Sequence, residues 1–575
     1  MVQILRSRLL RVALGLATPI LANAELAITG ADRDVESNVR AFVSLADEPC
    51  DAEQWLIRRR YRSLEEEARE ALEPFGFYDP VISSELSFGE TCWKATIAIE
   101  QGEPVRYRNV RLLIDGAAAQ DSVFQDLESS HALIPGAVLR HSDYDRIKRA
   151  LQVRAADRGY VEARFIENRL DVWPEEHAAD VTLHFDGGPR YRIGEIRIEQ
   201  AFLDPAIVEG YLDLETGNLF DSKDLVQAHR DLADSGYFGE VQVLADTDSA
   251  ANGEVPVRIA LQPGTRIEYT VGVGASTDMG PRFRVGFRNN RLNSRGHRII
   301  TDLGASQVIQ GLSAEYRIPL RDPRHEWFSF TGAVIRQETD TFDDDAQRLG
   351  LRWTEAASDT WLRTLSIDAS NESFVIGEDV DTSRFIVPGI AYDQKISDQD
   401  VFPTHGHRLG AEVRGTDEAI GSSTSYIQAT VWARWIRSFG TGNRVLARLN
   451  AGTTTSKDFN ELPPSIRFFA GGDQSVRGYG YESLGPKDSD GNVIGGHNLL
   501  VASLEYDRHL RGNFYGAVFV DAGNAFDDTD FDPEVGAGLG IKWRSPLGPV
   551  RLYLGYPITA DDRSARVHLQ LGAEL

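Results

Sequence analysis

Cysteine is nearly missing from this 575-residue chain, which holds two, Cys50 and Cys92. No more than one internal disulfide can form. Long apolar runs are also missing. Beyond residue 24 no uncharged stretch reaches the roughly 20 residues that a helix needs to cross a bilayer, so a helical membrane protein is excluded. Excess positive charge is lacking as well. The chain has 61 Lys and Arg against 87 Asp and Glu, a formal net charge of −26. Nucleic acid is therefore not an expected partner, because phosphate affinity needs clustered Lys and Arg. Catalytic patterns are missing too. No GxSxG elbow precedes a helix, and His297, His407 and His497 have no Ser and carboxylate at a persuasive spacing. An outer-membrane phospholipase or protease is thus disfavoured, and no enzyme activity or cofactor is expected. The acidic runs Asp343-Asp344-Asp345 and Asp527, Asp528, Asp530 and Asp532 read as solvated turns in extracellular loops. Divalent-cation binding is the weaker reading, and no metal site is assigned.

What is present begins with a processing signal. Arg6, Arg8 and Arg11 form a basic region, Val12 to Leu21 a short apolar one, and Ala22-Asn23-Ala24 a small-x-small cleavage site. Residues 1–24 read as a secretory signal peptide rather than an anchor helix. Export puts Cys50 and Cys92 in an oxidising compartment, where they are expected to pair. Two separate thiols remain the alternative, since sequence does not measure their distance.

Three repeats follow, spaced by about 80 residues, the size of a small domain. Each has a helical pattern ending in Gly plus an aromatic residue, at Gly76, Gly159 and Gly236, where glycine is the usual helix stop. Each then closes on an alternating strand and a turn, at Glu103–Tyr107, Gly188–Tyr191 and Pro263–Arg266. The unit reads strand, helix, helix, strand, strand. Ala52 to Leu72, Ser142 to Ala156 and Ser222 to Ala233 carry helix-spaced apolar residues, including Trp55, that read as core. Ser142 and Ser222 sit where N-caps are expected.

After Arg266 helical periodicity stops. Alternating segments of about ten residues follow, separated by Gly, Asp, Asn, Ser and Pro. In the last of them Val567, Leu569, Leu571, Ala573 and Leu575 share one face, and Arg566, His568, Gln570 and Glu574 the other. Many such segments in an exported chain indicate a transmembrane β-barrel with its apolar face outward. A soluble sandwich would alternate too, but Trp435 and Tyr506 near strand ends suit an interfacial girdle. Strand length divides the remaining chain into about 16 strands. An even count leaves the N-terminal repeats in the periplasm. The expected fold is thus α+β repeats followed by an all-β barrel of antiparallel strands.

One connection is long, from about Asp458 to His497, between the eleventh and twelfth strands, and extracellular. It holds GGDQSVRGYGYESLGP and is too aromatic for a simple solvated loop. It is expected to fold back into the lumen. Parity places Glu505 and Asp521 on the luminal face of the next two strands. Arg477 is expected to pin the loop to these carboxylates through its fork of donors, with Gly478 and Gly480 shaping the tip.

The signal peptide, the repeats, the barrel, VRGYG at Val476–Gly480 and FVDAG at Phe519–Gly523 together resemble the outer-membrane assembly-factor superfamily, whose members include BamA, TamA and two-partner-secretion transporters. The resemblance covers essentially the whole mature chain. It implies POTRA domains at 25–105, 106–189 and 190–264, and a barrel at 265–575 with the inserted loop 458–497. Three POTRA domains fit the TamA type best. A departure from the family's substrates is the non-aromatic end, Leu575. By resemblance, Arg477, Gly478, Tyr479, Gly480, Glu505, Asp521 and Gly523 form the loop anchor. Barrel closure requires the first strand to pair with the last. The first strand reads as short and carries Gly272 and Gly274, which weaken a strand interior. A lateral seam is expected there, between Tyr269, Val271, Gly272 and Gly274 on one side and Leu569, Leu571 and Leu575 on the other. It would template client strands by β-augmentation. The implied activity is TamA-like insertion or translocation of β-barrel or autotransporter clients. BamA-like assembly or two-partner secretion is the alternative on the same fold, and a passive porin is disfavoured by the repeats. The implied partners are a TamB-like inner-membrane-anchored protein, unfolded outer-membrane clients and outer-membrane lipids.

Overall fold

The computed structural model describes residues 25–90, 92–276, 279–358, 360–377, 379–399, 401–528, 531–545, 548–560 and 564–571. The signal segment 1–24, Asp530 and Leu575 lie outside the described residues. The chain divides into two compact units. One takes the residues up to 196 with 215–224 and 245–257, and the other takes 197–214, 225–244 and 258–575.

The first repeat runs β1 (Glu25–Thr29), α1 (Arg33–Phe42), α2 (Gln54–Leu72), β2 (Val81–Phe88) and β3 (Trp93–Glu100). Its sheet order is β1-β3-β2, with β1 parallel and β2 antiparallel to β3. Asp32 starts α1 by accepting the N–H groups of Asp34 and Val35, both at 3.0 Å, which satisfies donors that a helix start leaves orphaned. The inner face of β3, Trp93, Ala95, Ile97 and Ile99, packs on Ile57, Leu64 and Ala68 of α2. Trp55 is 60% exposed and is not core; it sits at the second residue of α2, before the buried stripe begins at Ile57. Cys50 and Cys92 form a disulfide.

The second repeat has β4 (Arg106–Asp115), α3 (Ser122–Ser130), α4 (His141–Asp157), β5 (Arg164–Trp173) and β6 (Ala178–Asp186), with sheet order β4-β6-β5. The third has β7 (Arg192–Glu199), α5 (Pro205–Glu209), α6 (Ser222–Asp234), β8 (Phe238–Ala245) and β9 (Glu254–Pro263), with order β7-β9-β8. Two cap positions differ from the sequence reading. Ser142 lies inside α4, whose N-cap is Arg140 with no side-chain bond. Asp221, not Ser222, accepts the Lys223 N–H at 3.0 Å. A carboxylate one residue earlier takes the orphan donor, so the serine becomes the first helical residue.

Among the described residues sixteen strands follow in one antiparallel sheet, from β10 (Ile267–Ser276) to β25 (Arg566–Leu571), in sequence order. Apolar side chains face out: Leu552 and Leu554 are exposed while Tyr553 between them is buried. This inverts a soluble core and suits lipid outside and a polar lumen inside. Asp343 to Asp345 are not a turn. They lie in the strand Phe342–Ala356, opposite Val375, Phe374 and Ser373, and Asp344 is buried. A polar lumen accepts an inward acid, so the acidic run does not end the ladder. Asp527 accepts from the N–H and ring of His497. Asp528 takes a positive φ of 48°, and the Asp532 carbonyl accepts from Asn524. The first strand is not short: β10 has ten residues, and the described part of β25 has six.

Candidate functional site

The long connection spans 457–497, between β20 (Asn443–Ser456) and β21 (Asn498–Arg511). It has its own apolar footing. Leu462 and Ile466 pack on Phe385 and Tyr426 of the wall, and Ala470, Val476 and Tyr479 pack on Val501. Burying these side chains offsets the entropy of ordering so long a loop.

Arg477 is buried at the loop tip. Its fork meets Asp521, on β22 (Phe514–Phe526), in two parallel bonds: Nε to Oδ2 at 2.7 Å and Nη2 to Oδ1 at 2.9 Å. The Arg477 backbone N–H also donates to Oδ2, at 3.0 Å. Nη1 donates to Glu505 Oε2 at 2.5 Å, and Nη2 reaches Ser503 Oγ at 3.3 Å. The guanidinium carbon lies 3.5 Å from the Phe519 ring centroid and 4.7 Å from that of Tyr553. Such a stack suits a planar cation and not an ammonium.

Gly478 continues the tip at φ 102°. A Cβ there would come within 2.9 Å of the backbone of Tyr556 and Pro557 on β24 (Gly548–Pro557). Gly480 has no positive φ; it is half-buried, and its carbonyl accepts from Ser483 at 2.9 Å. Of these two glycines, only Gly478 therefore needs the left-handed backbone freedom. The Tyr479 hydroxyl donates to Glu534 at 2.8 Å and lies 2.8 Å from Thr559 Oγ1. Gly523 lets β22 approach β21, because a Cβ there would collide with the Leu500 carbonyl.

Several contributors carry no signal in the loop motif. The Gly478 N–H donates to His568 Nε2 at 3.0 Å, and the other ring nitrogen of His568 meets Asp473. Lys542, on β23 (Glu534–Ser545), bridges Glu505 at 2.5 Å and Asp507 at 2.8 Å. Arg444 lies 3.5 Å from Asp507 and stacks 3.9 Å from the centroid of Phe402. Three cations, Arg477, Lys542 and Arg444, thus alternate with Asp521, Glu505 and Asp507 through the lumen. Phe402 comes from the turn between two strands, Asp379–Ser397 and His405–Thr416, and is almost fully buried. One signal was available in the sequence: Gly536, Gly538 and Gly540 alternate on β23. A Cβ at Gly536 would collide with the Arg477 carbonyl, and one at Gly540 with the Tyr553 ring. The glycine row makes the bed on which the loop tip lies.

At the ends of the sheet, no ladder joins β25 to β10 among the described residues. β25 pairs with β24 from Gly555↔Arg566 to Val550↔Leu571. β10 pairs with β11 (Gly280–Asn289) along its whole length. Arg282 of β11 lies opposite Gly274, and its Nη2 donates to the Leu569 carbonyl of β25 at 3.1 Å. A Cβ at Gly274 would stand 2.9 Å from Arg282 Nε. Gly274 therefore clears the path of this side chain across the seam. Tyr269 and Val273 are 72% and 71% exposed, and Val271 and Gly272 lie between them.

Residues 282–574 match the Omp85 superfamily domain, and residues 25–101 match TamA-type POTRA domain 1. The chain belongs to the Omp85 superfamily. Among its relatives are outer membrane protein assembly factors BamA. That of Nitratidesulfovibrio vulgaris is 23% identical over 444 residues, covering 72% of this chain and 55% of the relative. That of Neisseria meningitidis is 22% identical over 571 residues, covering 86% of this chain and 70% of the relative. The chain thus spans about half the length of the first and over two thirds of the second. A crystal structure of Haemophilus ducreyi BamA lacking POTRA domains 1–3 superposes with a TM-score of 0.66 at 17% identity. It covers 81% of this chain and 99% of that one, a likeness of fold. This Omp85 protein is an outer-membrane β-barrel with N-terminal POTRA domains in the periplasm.

Proposed function

We propose that the protein inserts or translocates outer-membrane clients, β-barrels or autotransporters, through a lateral seam between β10 and β25. The observation that carries this reading is the sheet edge. The strand edges facing each other there share no ladder among the described residues, and a side chain, Arg282, reaches across. Unpaired edge groups recruit strands, and in lipid each unsatisfied backbone group costs several kcal/mol. Such an edge favours pairing with an incoming strand. In this reading Arg477 holds the loop in the lumen while the seam works, which disfavours a passive pore, and no step is enzymatic.

A TamA-like role, with POTRA domains at 25–105, 106–189 and 190–264 and a TamB-like inner-membrane-anchored partner, is favoured by the match of residues 25–101 to the first TamA-type POTRA domain. A BamA-like or secretion role is the second reading, favoured by the BamA relatives. Cysteines at Val273 and Leu569, joined by a short bifunctional maleimide, test the seam in proteoliposomes. Crosslinked protein is expected to lose client assembly while the singly substituted controls keep it. Full assembly with the seam locked would reject the lateral route. Affinity capture from inner-membrane extracts then separates the TamA-like reading, which requires an anchored periplasmic partner.

A further inference from the structure

A cavity of about 90 Å³ lies beside the clamp, lined by Arg434, Arg448, Arg477 and Arg551 together with Gln474 and Gln570. Two carboxylates also reach it, and both are engaged: Glu505 by Arg477 and Lys542, and Asp473 by His568. Arg477 has Asp521 as its own counter-charge. Arg434 and Arg448 are different. Among the described residues neither forms an ion pair. Arg434 donates to the Gln474 side-chain oxygen at 3.2 Å and Arg448 to the Ser475 carbonyl at 2.6 Å, both neutral acceptors. Arg448 Nε is buried with no hydrogen-bond partner.

The strand register makes the deficit sharper. Arg434 and Arg448 are directly opposite each other on neighbouring strands, Tyr426–Phe439 and β20. Like charges in that position repel at the closest cross-strand distance. The repulsion spreads through the group, since Arg434 acts on Arg551 and Arg448 on Arg477. Partly buried cations of this kind need a counter-charge. Asp521 and Glu505 act on Arg448 from a distance but are already engaged by Arg477 and Lys542, and among the described residues neither Arg434 nor Arg448 has an ion pair of its own.

We propose that this cavity binds an oxyanion of the phosphate class between Arg434 and Arg448. A guanidinium presents two parallel N–H donors that match two oxygens of one phosphate group. Two guanidiniums side by side on one wall can both donate to such a group, and the Gln474 and Gln570 amides offer neutral polar company. The cavity has room for several waters, enough for one tetrahedral group, and it is not closed off, so anything attached to that group can extend outside. The bound group is therefore either free phosphate or the phosphate of a lipid whose remainder stays outside. Because Arg448 neighbours Arg477, the anion also lowers the positive field at the clamp and tightens the loop. None of this depends on the seam.

The test uses the full chain in detergent micelles. Binding of radiolabelled inorganic phosphate is measured by equilibrium dialysis, with chloride at equal ionic strength as competitor. Saturable binding is expected in the wild type, weakened about tenfold or more in Arg434→Gln and in Arg448→Gln. Arg284→Gln, a luminal arginine paired with Asp302, should bind normally. Protease protection of the loop should rise with phosphate in the wild type and not in Arg434→Gln. A second arm uses dihexanoyl phosphatidic acid. Binding of inorganic phosphate assigns a free anion, and binding of the lipid probe alone assigns a lipid phosphate. No saturable binding of either overturns the proposal, as does equal binding by wild type and both variants. If Arg448→Gln fails to fold, Arg434→Gln carries the decision, because its contact with Gln474 is neutral and a glutamine can keep it.

Discussion

Arg477 combines two bonds to Asp521, one to Glu505, a stack on Phe519 and a backbone N–H aimed at the same carboxylate. Removing one partner from a buried pair typically costs about 3–5 kcal/mol, because the other charge stays buried. Arg477→Ala is thus expected to lower the thermal midpoint and expose the loop to protease. Arg477→Lys should recover little, lacking the fork and the planar stack. In a double-mutant cycle with Asp521→Ala the pair should couple by about 0.5–3 kcal/mol. Additive losses, with the loop still protected in Arg477→Ala, would show that the pair does not hold the loop. The carboxylate positions were legible because strand alternation fixes which side chains share a face. Phe402 was not, because it reaches Arg444 through a periplasmic turn whose sequence, DVFPT, looks like any connection. Arg444 meets Asp507 from the neighbouring strand and Lys542 from the next strand but one, and no motif singles them out. The need for Gly480 at the tip was misread for a related reason: a Gly-rich string does not reveal which glycine takes the positive φ.

Elements were more legible than their edges. Helical and alternating periods differ enough that the repeats and the barrel separate at Arg266, and strand length set the count near sixteen. In the sequence, Gly272 and Gly274 point to a weak seam because they lack side chains. In the structure Gly274 has a more specific part: it leaves room for Arg282 to reach Leu569. That contact joins residues 287 apart in sequence, and no local pattern announces it. The acidic run at Asp343 failed for the opposite reason, since its composition resembles a turn while its neighbours continue a ladder. If Arg282 staples the seam, Arg282→Ala and Gly274→Val should act alike, one by deleting the staple and the other by blocking its path. A hydrogen bond from a charged donor contributes about 1.5–3 kcal/mol. Amide exchange in β25 should therefore speed up roughly ten- to hundredfold in both variants, with exchange in β20 and β21 unchanged. Unaltered β25 protection in Arg282→Ala would leave the seam held by something else.

At the scale of the whole molecule the chain is one large charge imbalance, −26, divided between two compact units. The division itself was invisible in the sequence, because the third repeat contributes to both. Acid should relieve the overall self-repulsion, yet it should destabilise the first unit, and the signs can be worked out group by group. In the second repeat, burial pushes the Asp121 carboxyl up, but the Val123 N–H, the Tyr160 hydroxyl and Arg158 outweigh it and hold it below the ordinary range. In the first repeat, burial likewise raises Glu67, and the Ser44 N–H, the Ser63 and Ser44 hydroxyls and Arg60 bring it down. A depressed carboxyl adds stability above its unfolded value, near 4, that is lost as pH falls through the folded one. His141 is also depressed, chiefly by burial, against the pull of Asp145 and Glu73, and its ring lies 2.7 Å from the Tyr78 hydroxyl. Its share is present above about pH 6.5 and is lost as pH falls below that. The first unit should therefore weaken in two stages, the upper governed by His141 and the lower by Asp121 and Glu67. Urea unfolding of the full chain, followed by exchange in α4 and β6 from pH 8 to pH 3, should resolve both stages. His141→Gln should flatten the upper stage alone. Asp121→Asn should lower stability at pH 7 and shrink the lower stage alone, leaving the share of Glu67. Because both variants keep nearly the whole charge of the parent, the general easing of self-repulsion is common to all three proteins and cancels in the differences. Parallel pH profiles for parent and variants would mean that acid acts on this unit only through net charge.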